Sequence, residues 1–292
     1  MLSYFRGNGG LAILTLPDSA DKNFFVACRD DLQGWDDCGV HTVSDDLGAG
    51  VPLPRPVSSV VSLVPSLTEA IAVSRPELLV GATDWCSQPP DLVVSRVRGT
   101  KNPDLRRIAE LSPDLVICNQ EENRELDVRR LREAGQSVWV TRIETLAEAF
   151  RSLDRLFTQA LAGERPDWLA AAEASWSEPA RLPPLRTVVP IWRDPWMVVG
   201  ARTFTGDLLT RLGLRNAYAG SADRYPHVEL TDLLAIRPEL VLLPDEPYVF
   251  SATDGPEAFP GIRTELVSGR LLTWYGPSLA TARADLEAVL AR

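Results

Sequence analysis

Apolar residues in this chain fall into two kinds of stretch that take turns. Short continuous apolar runs read as strands at 60–64, 78–83, 114–119 and 138–142, and again at 187–191, 197–200, 240–243 and 271–274. Runs without polar alternation suit parallel strands covered on both faces. Between them, apolar residues recur every three to four positions and predict helices. One is a short helix after Ser66-Leu-Thr-Glu69, which has the spacing of a capping box. Two more, over 127–134 and 204–212, are closed by Gly135 and Gly213 in the position that favours a left-handed residue. A last helix covers 280–291. The longest helical stretch runs from 144 to about 177, with Leu146, Ala149, Phe150, Leu153, Leu156 and Phe157 on one face, and Gly163 to Pro166 is where it bends or divides.

One phrase occurs twice, about 125 residues apart. Ile108-Ala-Glu-Leu-Ser-Pro113-Asp114-Leu115-Val116-Ile117-Cys118 is matched by Leu233-Leu-Ala-Ile-Arg-Pro238-Glu239-Leu240-Val241-Leu242-Leu243. Each reads as the end of a helix, a proline that stops it and a buried strand. The doubling and the βα alternation predict an α/β protein of two Rossmann-like lobes, with mostly parallel sheets joined by a long backbone helix. The expected segments are an N-terminal lobe over 57–143, the connecting helix over 144–177 and a C-terminal lobe over 185–292. Residues 1–55 have a different texture, rich in Gly and Asp. They read as an N-terminal extension, whether a small appendage, a partly disordered leader or translated upstream sequence, ending in Val51-Pro-Leu-Pro-Arg-Pro56 as an extended linker.

The 292 residues are 45% hydrophobic and 24% charged, ordinary for a globular protein. A net charge of −10 disfavours nucleic acid and anionic membrane surfaces as partners. No run approaches the roughly 18 apolar residues of a membrane span. The first residues lack the basic start, long apolar middle and cleavage site of a secretory signal, so the expected location is the cytoplasm. Of the four cysteines, Cys118 ends a predicted core strand. Cys28, Cys38 and His41 fit no zinc spacing, so no metal site is expected.

No phosphate loop, dinucleotide fingerprint, nucleophile elbow or zinc-protease motif is present, and His41 and His227 are the two histidines. The chain is therefore not expected to be an enzyme. The pairs Glu121-Glu122 and Asp245-Glu246 could serve acid–base work, against a plainer reading as solvated loop charges. Aromatic residues at strand ends and in loops say more. Trp85, Trp192, Trp196, Tyr225 and Trp274-Tyr275 follow predicted strands or lie in loops, whereas Trp139, Trp168 and Trp176 fall inside a strand or helix and read as core. In open α/β sheets, ligands sit beyond the carboxyl ends of the strands, and rings there suit a large, flat, partly apolar ligand. Asp84, Lys101, Arg193, Arg202 and Asp245 lie beside these rings as polar groups that would orient it.

Val60-Val-Ser-Leu-Val-Pro-Ser-Leu-Thr-Glu69, Val80-Gly-Ala-Thr-Asp-Trp-Cys-Ser-Gln-Pro-Pro90 and the doubled phrase resemble the helical-backbone metal-receptor superfamily. Within it they are most similar to the cobalamin-binding receptors of bacterial ABC importers, class III substrate-binding proteins. The resemblance covers residues 57–292. It implies two lobes, a rigid connecting helix, and a cobalamin-like corrinoid or another metal chelate held between the lobes as a ligand, with no tightly bound cofactor. It places Trp85 against the corrin ring, Tyr225 in the second lobe's half of the cleft, and ligand contacts near Trp274 and Tyr275. Lys101 stands where the cobalamin receptor has an aromatic residue. Arg106 and Thr231 stand where importer-linked receptors carry acidic residues that meet permease arginines, which argues against permease docking. The expectation is a cytoplasmic, monomeric, non-enzymatic offshoot. Its rivals are an exported importer receptor for cobalamin or a siderophore, and an enzyme acting on a small anionic or metal-chelate substrate in the same cleft.

Overall fold

The computed structural model describes residues 39–178 and 181–291, and from Val40 onward the chain packs as one unit. Cys28 and Cys38 lie outside the described residues.

The first element among the described residues is a hairpin. β1 (His41–Ser44) pairs antiparallel with β2 (Gly50–Leu53). The segment read as a linker is thus a paired strand over its first residues, and Val51 and Leu53 are buried in the main core. Two aspartates in the turn anchor it. Asp45, fully buried, accepts from Arg132 Nη2 at 2.7 Å, and Asp46 accepts from Ser152 Oγ at 2.5 Å and Arg155 Nη1 at 2.6 Å. His41 Nδ1 donates to the Leu53 carbonyl at 3.1 Å, a role inside the hairpin.

Lobe one follows: β3 (Val60–Ser62), α1 (Pro65–Ser74), β4 (Leu79–Ala82), β5 (Ser95–Arg96), the small antiparallel pair β6 (Arg98–Gly99) and β7 (Asn102–Pro103), α2 (Leu105–Leu111), β8 (Leu115–Asn119), α3 (Glu125–Glu133) and β9 (Val138–Thr141). Its main sheet has the order β5-β4-β3-β8-β9, all parallel. The connection is helical and in two pieces. α4 (Leu146–Arg155) continues into a π-helical turn, then breaks at a left-handed Ala162, Gly163 and Pro166 before α5 (Asp167–Ser177). Thr145 caps α4 by accepting from the Glu148 amide at 3.1 Å.

Lobe two holds β10 (Arg186–Val188), the antiparallel pair β11 (Pro190–Trp192) and β12 (Met197–Val198), α6 (Phe204–Leu212), β13 (Arg215–Asn216), α7 (Leu230–Ala235), β14 (Leu240–Pro244), β15 (Arg263–Val267), α8 (Gly269–Thr273) and α9 (Leu279–Leu290). Its sheet runs β13-β10-β14-β15, again all parallel. Two expectations are corrected. Residues 271–274 belong to α8 and its C-terminal cap, and the last strand is β15 instead. β15 is an edge strand with polar, partly exposed positions, whereas Leu271-Leu272 is an apolar run too short to distinguish strand from helix. The capping box at Ser66 does not form, because Pro65 opens α1 and puts Ser66 inside the first turn; no side chain caps the helix.

The doubled phrase has a common structural task. In both lobes it feeds the strand beside the lobe's first strand, β8 next to β3 and β14 next to β10. The residue before each proline, Ser112 and Arg237, adopts a left-handed conformation, so the helix reverses in one step. The acid after each proline ties down the start of the first strand. Asp114 accepts from the Ser58 and Ser59 amides at 2.8 and 3.0 Å, and Glu239 accepts from the Arg186 amide at 2.8 Å. Beyond them, strand residues alternate between two cores. Leu115, Ile117, Leu240 and Leu242 join one cluster that runs through both lobes and the connecting helices, while Val116 and Cys118, and Val241 and Leu243, face the separate core of each lobe. The lobes therefore share apolar packing.

Candidate functional site

In each lobe the second strand lies on one side of the first and the next main strand on the other. Such a reversal opens a crevice at the carboxyl ends of the strands. Those ends face each other here, as the bonds between the lobes show. Arg224, in the loop after β13, donates to Glu121 at 2.7 Å and Glu144 at 3.0 Å, residues that follow β8 and β9. Tyr275, after α8, donates its hydroxyl to Glu122 Oε1 at 2.8 Å. Arg270 of α8 pairs with Glu69 of α1, with Nε 3.2 Å from Oε2. Gly276 allows the close approach: a Cβ there would lie 2.9 Å from the Ser66 carbonyl oxygen.

The two glutamates are held in place by asparagines. Asn119 ends β8 and accepts from the amides of Glu121 and Glu122 at 2.8 and 3.2 Å. Asn123 accepts from the Asn119 amide and donates to the Leu63 and Thr100 carbonyls. Loss of water raises the Glu122 carboxyl to about 7, with Glu121 and Glu246 adding repulsion and Tyr275 and Lys101 opposing it. Burial raises Glu246 too, helped by neighbouring Asp245. The Tyr225 and Tyr275 phenols are likewise pushed above their ordinary range by burial and by these carboxylates. The reading of Glu121-Glu122 as solvated loop charges is corrected: both belong to the seam between lobes.

The residues expected at the site divide into three groups. Trp85 (69% exposed), after β4, and Trp192 (45% exposed), at the end of β11, offer open ring faces on opposite lobes. Trp192 packs edge-on against Tyr248 at 5.6 Å, and Tyr248 donates to Asp254 at 2.7 Å, so this face is held rigidly. Asp84 is exposed beside Trp85. Tyr225, Trp274 and Tyr275 line the seam itself, with Trp274 and Tyr275 largely buried in it. Lys101 joins them by donating to the Glu121 carbonyl at 2.6 Å, and Asp245 accepts from the Gly269 amide at 2.7 Å. Trp196 is different. At 6% exposure it is stacked on Phe250 and edge-on to Phe259 inside lobe two, so it has no face to offer a ligand. Arg193 is bound by Asp254 and Glu257 over the Trp196 ring, and Arg202 donates to the Ala222 carbonyl at 3.1 Å. Trp139 and Trp176 are core, as their positions inside elements predict.

Glu144, Arg224 and Arg270 carry no signal in the sequence, and Glu69 stands out there only as the end of a capping-box spacing, not as a seam residue. The reason is that each partner lies in the other half of the chain. Among the described residues no group of three His, Cys, Asp or Glu side chains is placed to hold a metal ion, and no helix is long and apolar enough to cross a membrane. A separate groove of about 510 Å³ runs along α4 and α5, with Leu146, Phe150 and Trp176 among its lining.

No protein-family model and no curated protein matches the chain. Solved structures do. The periplasmic vitamin B12 binding protein BtuF of Vibrio cholerae aligns with a TM-score of 0.66 at 18% identity, over 81% of this chain and 97% of its own. The periplasmic heme-binding protein RhuT from Roseiflexus sp. RS-1 gives 0.67 at 20% identity, over 80% and 98%. Helicobacter pylori CeuE, solved as a Ni-His complex, gives 0.73 at 16% identity, over 86% and 88%. The chain has the two-lobed α/β fold of these binding proteins.

Proposed function

We propose that this protein is a non-enzymatic binding protein that holds a corrinoid or another flat metal chelate at the cleft between its lobes. The observation that carries the reading is the pair of exposed indoles, Trp85 and Trp192, at the carboxyl ends of strands in opposite lobes, whose facing loops are bonded through Glu121, Glu122, Arg224 and Tyr275. Ring faces left open at the mouth of such a crevice suit a large planar ligand. The fold neighbours bind vitamin B12, heme or nickel, which supports the chelate class. With no cluster of ligating side chains among the described residues, the chelate would be gripped through its ring and periphery.

The proposal includes independence from an importer permease. Arg106 is 89% exposed on α2 and Thr231 is exposed on α7, where a surface facing permease arginines would need acids.

Titration with cobalamins, heme and ferric siderophores, followed by absorbance and tryptophan quenching, tests the reading. At least one chelate is expected to bind in the micromolar range or tighter. Trp85→Ala and Trp192→Ala are each expected to weaken it about tenfold while leaving the melting temperature unchanged. Absence of any binding below high micromolar concentration, or binding indifferent to both substitutions, overturns it.

A further inference from the structure

We infer that the groove along α4 and α5 is a second binding site, separate from the cleft between the lobes, and that it takes a medium-chain acyl carboxylate: an alkyl tail ending in one negative charge.

The groove encloses about 510 Å³, within the size range of small-molecule sites. Two helices build it from matched stripes. Ala147, Phe150, Arg151 and Asp154 recur every three or four positions along α4, and Glu173, Trp176 and Ser177 do so along α5, so each set lies on one side of its helix. Arg211 of α6 adds a wall. The floor is apolar. Leu146 and Trp176 are nearly buried, Phe150 is half-buried and Ala147 is open to solvent. The Trp176 Nε1 hydrogen is taken by the Leu279 carbonyl at 2.9 Å, so the ring brings no free donor to the groove. From Leu146 to Asp154 the lining follows α4 for about 12 Å at 1.5 Å per residue. That reach and that floor suit an extended alkyl chain.

The charges around the groove divide unevenly. Arg165 clamps across the break between α4 and α5, with Nε 3.3 Å from Asp154 and Nη2 2.5 Å from Glu173, so both acids that line the groove are already paired. Arg151 is different. It is exposed and has no ion pair among the described residues. The acids three positions to either side of it bond elsewhere, Glu148 to the Glu144 amide at 2.8 Å and Asp154 to Arg165. Arg211 Nε lies 3.8 Å from Asp207 Oδ2, an oxygen that already accepts from the Leu146 amide at 2.9 Å. On a chain of net charge −10, two guanidiniums thus keep donors to spare beside an apolar floor. A guanidinium fork fits a carboxylate through two parallel N–H donors. An alkyl tail laid along the floor gains by leaving water.

Isothermal titration calorimetry of the full-length protein with decanoate, decanol and decylammonium tests the site. Decanoate is expected to bind at about 100 μM or tighter, and decylammonium about tenfold more weakly or not at all. Arg151→Gln, at an exposed position, is expected to weaken decanoate about tenfold and to leave decanol unchanged. Ala147→Trp fills the groove from an exposed position and is expected to abolish decanoate binding without lowering the melting temperature. Trp85→Ala, in the cleft, is expected to leave decanoate binding intact. No decanoate binding, equal binding of decylammonium, or indifference to Arg151→Gln and Ala147→Trp each overturns the inference. Loss of decanoate binding in Trp85→Ala also overturns it, because the tail would then lie in the cleft. A dimer in solution that Ala147→Trp dissociates would assign the groove to a second copy of the chain and overturn it as well.

Discussion

Replacing Glu122 by glutamine removes one ionisation from the seam while keeping an oxygen to accept from Tyr275. In the wild-type protein the carboxyl is raised to about 7 by loss of water, which outweighs the opposing help of Tyr275 and Lys101, while Glu121 and Glu246 add repulsion. An acid raised on folding favours the native state while it is protonated. Its contribution is complete below the ordinary glutamate range near 4.5 and is lost as pH rises through about 7. The interval corresponds to about 3 kcal/mol in full, of which about 2–3 kcal/mol falls between pH 5 and pH 8. Urea unfolding of wild type and Glu122→Gln at pH 5, 6, 7 and 8 measures it directly. The wild type is expected to lose about 2–3 kcal/mol more than the variant across that range; other titrating groups are common to both and cancel in the difference. Tyr275→Phe removes the donor that favours the ionised form, so its stability deficit is expected to be larger at pH 8 than at pH 5. Parallel stability curves for wild type and Glu122→Gln would refute the placement of this carboxyl in a desolvated seam.

Gly276→Ala puts a methyl group 2.9 Å from the Ser66 carbonyl oxygen, so the lobes must shift apart; a loss of about 1–3 kcal/mol is expected, read as a lower urea midpoint, and an unchanged midpoint would show that the contact is slack. Burial pushes the Cys118 thiol up to about 12, so peptide-resolved mass spectrometry after iodoacetamide treatment at pH 8 should find it unmodified in native protein and modified after unfolding; rapid labelling of the native state would contradict its place in the lobe-one core.

Much of the fold was legible because its strongest signals are local. Pro113 and Pro238 stop their helices whatever surrounds them, and the apolar runs after them are long enough to be recognised as buried strands. Gly135 and Gly213 end α3 and α6 in the left-handed conformation expected of them. β15 escaped because an edge strand keeps polar residues, and the Ser66–Glu69 spacing misled because Pro65 had already begun the helix. The site was legible by halves. Trp85 and Trp192 declare themselves by following strands, but Trp196, four residues beyond Trp192, differs only in which side of a hairpin it emerges from. The seam was the least visible part. Glu69 meets Arg270 and Glu121 meets Arg224 across more than a hundred residues, and charge partners at that separation leave no trace in spacing or periodicity.

The opening hairpin sets a practical boundary for dissecting this chain. A recombinant fragment cut at the first strand of lobe one would strip two aliphatic plugs, Val51 and Leu53, and leave Arg132 and Arg155 without the carboxylates that neutralise them. Any minimal version intended for crystallisation or ligand screening should therefore begin ahead of His41, so that the turn carrying Asp45 and Asp46 continues to rivet the hairpin to the α3 and α4 arginines.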